Sequence, residues 1–461
     1  MLTATAGWTV AMILLGGIWL WLYVRQGPTQ ALGAVVLLSL AIPVWARISV
    51  FGLPFTVQTS ITALAALAFA AHPRAKILTP LTVLDCCVAL LWSVQVASDL
   101  LTEGWKLQTP FLAYGEWALP YVAGRYCIRS RRDIELIVPW ACGVLVVLSA
   151  TAILESTTGV NLFEELFGIR PDDDLSPRRA QRLGFKRAFG PTLHGIFLGM
   201  VLVTLFPWVL SLWQQSADWK GRLRAALLSV VVVVGILATV SRTPLVCLIL
   251  TLGIVAAWKS LIARWAFSVA LVIVLGIFIW SPEQFTDSVS RKTGGGDQLR
   301  IIEVDGQAAE YSSSRLRLLV FKVYSRAMRN AGLLGYGTKR ATAIPPEIPY
   351  LEGKADLKTR MNVIDNGYVL MTLRSGWLGG LSFSLLFLTA TLTAFLLHRD
   401  RPDQILPLAA GGALLTIAVP GFLLVRNNYD YVFPALWLIG VISGLASDRS
   451  RSRRTRSGVM L

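Results

Sequence analysis

Apolar windows long enough to cross a bilayer recur along almost the whole chain. They fall at about residues 7–24, 29–45, 53–71, 77–98, 107–124, 134–154, 188–212, 225–240, 243–258, 265–281, 364–397, 404–424 and 431–446. A backbone surrounded by hydrocarbon must satisfy its own hydrogen bonds, so this pattern commits the chain to helices. The expectation is an all-α, polytopic integral membrane protein of about 12–13 transmembrane helices, with a long extracytoplasmic loop that contains an amphipathic helix. No short charged segment with a small-residue cleavage site precedes the first window, so "GWTVAMILLGGIWLWLYV" reads as a retained span.

The windows divide the chain into N-terminal transmembrane helices (1–154), an extracytoplasmic loop (155–187) and a second helical group with a Ser-Arg break (188–281). A large extracytoplasmic loop (282–363), C-terminal transmembrane helices (364–446) and a basic cytoplasmic tail (447–461) follow. The windows 225–240 and 243–258 meet at "TVSRTPL", where an Arg and a Pro force a turn or break.

Loop charge sets the orientation. "HPRAK", "GRYCIRSRRD", "WKGRLR", "WKSLIAR", "HRDRP" and the tail are rich in Lys or Arg and can share one side, the cytoplasm. Threading backward from the tail puts both long polar segments, "TVSR" and "VRNNYD" on the outer face, with the uncharged N-terminus. This placement accounts for most of the net charge of +16 without nucleic acid. The five cysteines lie in or beside apolar runs with no C-x-x-C pair, which argues against a disulfide framework or a zinc site. No phosphate-binding glycine loop, dinucleotide fingerprint or H-E-x-x-H occurs, so no nucleotide cofactor or catalytic metal is expected and the energy must arrive with the substrate.

Outer-face arginines carry the chemistry. A guanidinium near hydrocarbon is costly unless it meets an anion, and its fork matches phosphate oxygens. Arg242 and Arg187 are the first candidates; snorkelling or pairing with a carboxylate is the alternative for each. Asp365 and Asn366 open the last long apolar block in "DNGYVLMTLRSGWLGG", and Asp365, a carboxylate among cations at the water boundary, suits a general base. Tyr368 joins Asn366 as a candidate substrate contact. Arg374 lies about two and a half turns deeper, placed to pair with an acid or to line a cavity. Gly376 and Gly380 form a G-x-x-x-G suited to close helix packing. His194 is either a second base or a hydrogen-bonded packing residue. Asp85 reads better as a structural hydrogen-bonding group than as part of an ion path. "PDDDLSPRR" is either a metal site or, more simply, a solvated loop. Over 314–330, Arg315, Lys322, Arg326 and Arg329 share one helical face and Leu316, Val320, Val323 and Ala327 another. That is an amphipathic helix at the outer interface, or a solvated basic face over an apolar dock.

Four stretches together, "RAFGPTLHGIFLG", "TVSRTPL", "SSSRLRLLVFKVYSRAMRNAGLLGYG" and "DNGYVLMTLRSGWLGG", resemble in order and spacing the O-antigen ligase and O-antigen polymerase superfamily of bacterial envelope glycosyltransferases. The likeness covers roughly residues 180 to 445. It implies a metal-independent inverting transferase in the bacterial inner membrane with its site facing the periplasm. Such an enzyme takes an oligosaccharide from undecaprenyl diphosphate and joins it to a glycan acceptor in O-antigen, capsule or exopolysaccharide synthesis, alongside a flippase and chain-length regulator. By position, Arg187 and Arg242 would hold the diphosphate and Arg315 would begin the loop helix over the site. Ligases of this superfamily typically carry His immediately before the Asn; here Asp365 stands there, which favours a polymerase over transfer to lipid A-core. The rival classes are a glycan transporter or flippase, which should show internal repeats and paired intramembrane charges, and a non-catalytic scaffold.

Overall fold

The structure, a computed structural model, describes residues 4–73, 79–168, 181–182, 184–280, 300–304, 307–311, 320–321, 323–341 and 364–457. Helices dominate it. The first are α1 (Ala4–Gln26), α2 (Pro28–Ser39), α3 (Val57–Ala71) and α4 (Val83–Glu103). A continuous rod follows, made of α5 (Gln108–Ala113), a π-helical turn (Tyr114–Ala118) and α6 (Leu119–Cys127), and then α7 (Arg131–Thr158) and the short α8 (Leu162–Phe167). The middle of the chain forms α9 (Gly195–Gln215), α10 (Trp219–Ala238), α11 (Arg242–Lys259) and α12 (Leu261–Trp280). Short α13 (Ser325–Asn330) and α14 (Thr338–Ala341) precede α15 (Gly367–Asp400) and α16 (Ile405–Thr416). A second π-helical turn (Ile417–Gly421), α17 (Phe422–Leu424) and α18 (Tyr429–Ser457) complete the chain. The described strands form three antiparallel hairpins, pairing Arg47 with Thr56, Gln181 with Lys186 and Arg300 with Tyr311 at their open ends.

Among the described residues, nine helices are long and apolar enough to cross a membrane: α1, α4, α7, α9, α10, α11, α15, α16 continued to Leu424, and α18 to Asp448. Shorter apolar helices at Pro28–Ser39, Val57–Ala71 and Leu261–Val274 accompany them, as does the α5–α6 rod. The protein is a polytopic, all-α membrane protein. Its five cysteines are free thiols.

Local chemistry sets the helix starts. Window 188–212 becomes helical only at Gly195, because His194 has extended backbone angles and its ring Nδ1 accepts the Ile196 N–H at 3.1 Å. Ser130 and Asp133 form a capping box on α7, and Thr56 caps α3. The α10–α11 junction is the expected break. Val240 there has φ of +45°, a strained angle for a β-branched residue.

The core forms around α18, with 94% of its spanning window buried against 22% for α1. α6 meets it at backbone contact: a Cβ on Gly124 would lie 2.0 Å from the Trp437 carbonyl oxygen, and one on Gly440 2.1 Å from that of Tyr121. Asp85 is structural, as its sequence suggested. Its carboxylate accepts the Thr82 N–H at 2.6 Å and the Tyr121 hydroxyl at 2.6 Å, and it pairs with the buried Arg125 guanidinium.

Inter-helix contacts sort the ends of the bundle. At one end the Arg131 guanidinium lies 3.2 Å from Asp403, Ile405 N–H donates to Gln214 at 2.7 Å, and Trp258 meets His398 at 6.0 Å. The loops "GRYCIRSRRD", "WKGRLR", "WKSLIAR" and "HRDRP" gather there. At the other end Ala188 N–H donates to Ala238 O at 3.1 Å, Val44 N–H to Pro191 O at 3.3 Å and Leu193 N–H to Asp430 at 2.9 Å. The N-terminus of α1 is at this second end, where a Cβ on Gly7 would touch Phe167.

One expectation needs correction here. Gly376 does not admit a neighbouring helix. α15 is broken at Ser375 and Gly376, the latter with φ of +66°, and backbone from residues 332–337 enters the break. Tyr336 and Gly337 N–H donate to Leu373 and Arg374 O at 2.8 and 2.9 Å, and Trp377 and Leu378 N–H donate to Gly332 and Leu333 O at 3.0 and 3.1 Å. A side chain has no room, since a Cβ on Gly376 would lie 2.3 Å from Leu333 backbone and one on Gly335 2.4 Å from Gly376 N. Gly380 instead faces Thr372 on its own helix. The loop helix decides between two readings. Its apolar residues Val320, Val323, Tyr324 and Ala327 are buried against Ile364, Val369, Leu370 and Leu373, while Arg326 and Arg329 are exposed, which is the basic face over an apolar dock and not the interfacial helix. Arg315, Leu316 and Lys322 lie outside the described residues.

Candidate active site

The N-termini of α9, α11, α15 and α18 open at the end of the bundle opposite the basic loops. Each turns the positive pole of its dipole toward this end. Arg187 approaches from the chain before α9: its guanidinium donates to the Ser241 hydroxyl at 2.9 Å, and Ser241 occupies the N-cap position of α11. Arg242 is the first residue of α11, a position where the dipole disfavours a cation. Arg187 and Arg242 thus lie together at the head of α11, whose N-terminal dipole also favours an anion.

Glu155 and Ser156 of α7 fix the Arg187 segment. The buried Glu155 carboxylate accepts Gly190 N–H at 2.8 Å, Phe189 N–H at 3.2 Å and the Asn161 amide at 3.0 Å, and Ser156 donates to Lys186 O at 2.8 Å. Gly190 takes the left-handed conformation (φ +53°) that this turn requires.

α15 contributes Asp365, half-buried just before its cap. Asn366 is fully buried, and its amide is used internally: Oδ1 accepts Tyr368 and Val369 N–H at 3.0 Å each, and Nδ2 donates to Leu423 O at 3.0 Å. The Tyr368 hydroxyl donates to Ala418 O in the second π-helical turn, and its ring meets Phe383 and Phe422 edge-on. Asn366 and Tyr368, expected to touch substrate, thus shape the mouth of α15. His194 likewise commits Nδ1 to its cap and rests 5.7 Å from Phe197. The Phe197 ring also stacks on Tyr431 at 5.7 Å and lies beneath the Arg426 guanidinium at 5.7 Å. Tyr431 is within electrostatic reach of both Arg426 and Asp365. Arg315 and "PDDDLSPRR" lie outside the described residues.

Beside this cluster is a cavity of about 1300 Å³. Leu193 and Ile364, neighbours of His194 and Asp365, belong to its wall; Arg187, Arg242, His194 and Asp365 do not. Its polar end carries Arg374, Glu116, Arg426, Asn427, Tyr429 and Asp430, and its apolar end runs down α3 and α6 past Leu67, Phe69 and Val122. Arg374 both pairs with an acid and lines the cavity, since its guanidinium is 3.5 Å from Glu116. On the cavity's outer rim Thr338 N–H donates to Asp99 at 2.6 Å and Lys339 N–H to Glu103 at 3.0 Å, tying α14 to α4. Outside the spans, burial raises the Tyr324 phenol to about 12, so it is a neutral packing group.

Glu116 and Arg426 were not singled out from sequence, although the signal existed: an acid inside the window 107–124, and a cation ending the apolar run before "NNYD".

The stretch that holds Arg242, the spliced loop and the head of α15 is also the one with known kin. Residues 226–384 match the O-antigen ligase family. The O-antigen ligase match runs from within α10 to the middle of α15, taking in Arg242, Asp365, Asn366, Tyr368 and Arg374, whereas Arg187, His194 and Arg426 lie outside it. No match was found among curated proteins.

Proposed function

We propose that the protein is a metal-independent, inverting glycosyltransferase. It joins undecaprenyl-diphosphate-linked oligosaccharide units into a surface polysaccharide at the outer leaflet of the cytoplasmic membrane. The observation that carries this reading is the pair of arginines at the head of α11, Arg187 bonded to Ser241 and Arg242 beginning the helix, within and beside the O-antigen ligase match. A leaving diphosphate gains negative charge as the glycosidic bond breaks, and preorganised cations with aligned N–H groups stabilise that charge best where water is scarce. Asp365 takes the proton of the acceptor hydroxyl. Attack by that oxygen on the anomeric carbon, with departure of the diphosphate from the opposite face, inverts the configuration and needs no nucleotide.

Asp in place of the ligases' His supports polymerisation over transfer to lipid A-core. The transporter reading has less support: the ion pairs Asp85–Arg125 and Glu116–Arg374 have different side-chain partners, Tyr121 for the first and Gln95 for the second, and share none that would link them into a relay.

The deciding experiment incubates purified protein with lipid-linked oligosaccharide and no nucleotide. Longer glycans and free undecaprenyl diphosphate, formed equally with and without EDTA, are expected; activity lost to EDTA and restored by magnesium would overturn the metal-independent mechanism.

A further inference from the structure

The cavity contains one polar arrangement that the transfer chemistry leaves unused. Arg374 and Glu116 face each other at 3.5 Å, too long for a good hydrogen bond, with side chains 18% and 25% exposed. Glu116 is in the π-helical turn and is steadied by the Gln95 amide, which donates to its Oε2 at 3.1 Å. Gln95 is itself fixed by the Trp117 indole N–H. Arg374 is fixed from behind, because its carbonyl accepts Gly337 N–H at 2.9 Å and the Ser98 hydroxyl at 2.7 Å. Its Nε is nonetheless buried without a hydrogen-bond partner. The guanidinium as a whole is partly exposed and lines the cavity beside Glu116 and Gln95, so its terminal N–H groups face space that only a molecule outside the protein can fill.

We propose that Arg374, Glu116 and Gln95 form a saccharide subsite that holds the acceptor glycan. This rests on the glycosyl-transfer reading and names the second substrate's place in it. A hydroxyl oxygen accepts from the exposed end of the Arg374 guanidinium while a neighbouring hydroxyl donates to the Glu116 carboxylate, so a polyhydroxylated ring is read by a donor and an acceptor side by side. The cavity's charges largely cancel, with Glu103 between Lys106 and Lys339 at 3.7 and 3.8 Å and Glu116 answering Arg374. A neutral sugar fits this better than an anion, in contrast to the site of Arg187 and Arg242. Trp45, Trp92, Tyr114 and Tyr429 supply flat faces for sugar C–H surfaces. Leu193 and Ile364 bring the cavity wall to the sequence neighbours of His194 and Asp365.

The test uses the full chain in nanodiscs, with lipid-linked oligosaccharide from the producing cells as donor. The same oligosaccharide, released from its carrier by mild acid, serves as the acceptor probe. Arg374→Gln, Glu116→Gln and the double variant, which leaves no unpaired charge, are compared with wild type. Each should weaken direct probe binding and raise the acceptor KM about tenfold to a hundredfold, as for a lost hydrogen bond to a charged group. Donor KM and thermal stability of the double variant should stay put. A folded double variant with unchanged acceptor KM and probe affinity, or with only donor KM altered, overturns the subsite and leaves the transferase reading intact. Probe binding that depends on these residues in a wild-type protein unable to transfer would sustain the subsite and refute the transferase. A wild type that neither binds nor transfers refutes both.

Discussion

The Arg187 guanidinium reaches across from the chain before α9 to the Ser241 hydroxyl at 2.9 Å, and so joins two segments 54 residues apart at the head of α11. Ser241 is buried and its own hydroxyl donates to Thr239 O at 2.9 Å, so the contact is part of the turn that presents Arg242. Arg187 is thereby a brace for its neighbour, and in the proposed mechanism it is also a charge toward the diphosphate.

Removing either cation should therefore slow transfer strongly. Arg242→Ala should lower the chemical rate about a hundredfold or more, in line with loss of one well-placed charge stabiliser. Arg242→Lys should recover little, because an ammonium lacks the two-pronged fork. Arg187→Ala and Arg242→Ala should combine less than additively, since the two residues share a turn. Single-turnover rates of the two single variants and the double variant check this; full additivity would separate the two residues.

The splice between residues 332–337 and α15 should govern stability. At Gly376 an alanine meets both a backbone conformation, φ 66° and ψ −168°, that is essentially reserved for glycine and costs about 1–3 kcal/mol, and a backbone contact that cannot relax by rotating a side chain. Gly376→Ala and Gly335→Ala should each lower the melting temperature markedly in detergent. Gly143→Ala, in α7 with open space around it, should leave stability unchanged or raise it by about 0.5–1 kcal/mol. A Gly376→Ala protein as stable as wild type would mean that the loop does not occupy the break.

Orientation has its own test. Cysteine placed at Lys339, exposed at the arginine end, should react with an impermeant thiol reagent on intact cells, and cysteine at Arg399, exposed at the opposite end, should not. The reverse pattern would put the arginines in the cytoplasm and remove the outer-leaflet reading.

Much of this architecture was legible because hydrocarbon permits so few solutions: apolar windows gave the helices, and the Ser-Arg-Thr-Pro interruption gave the α10–α11 break. Arg374 was readable as a cavity or ion-pair residue because a charge at that depth has few alternatives. What could not be read was partnership across long separations. Nothing local tells that Glu116, 258 positions from Arg374, answers it, or that Gly376 accommodates a loop and not a helix, since both demand a residue without a Cβ. Asn366 is of a type that suits both ligands and caps, and only the structure shows that its amide caps α15.

The central claim is that Asp365 accepts the proton in a transfer whose charge the arginines bear. Asp365→Asn keeps the shape of the side chain and removes its basicity. Single-turnover transfer from lipid-linked oligosaccharide, measured with donor affinity on the same preparation, should show donor binding intact and a rate lower by about a hundredfold to ten-thousandfold. An Asp365→Asn protein that transfers at close to the wild-type rate would contradict the account.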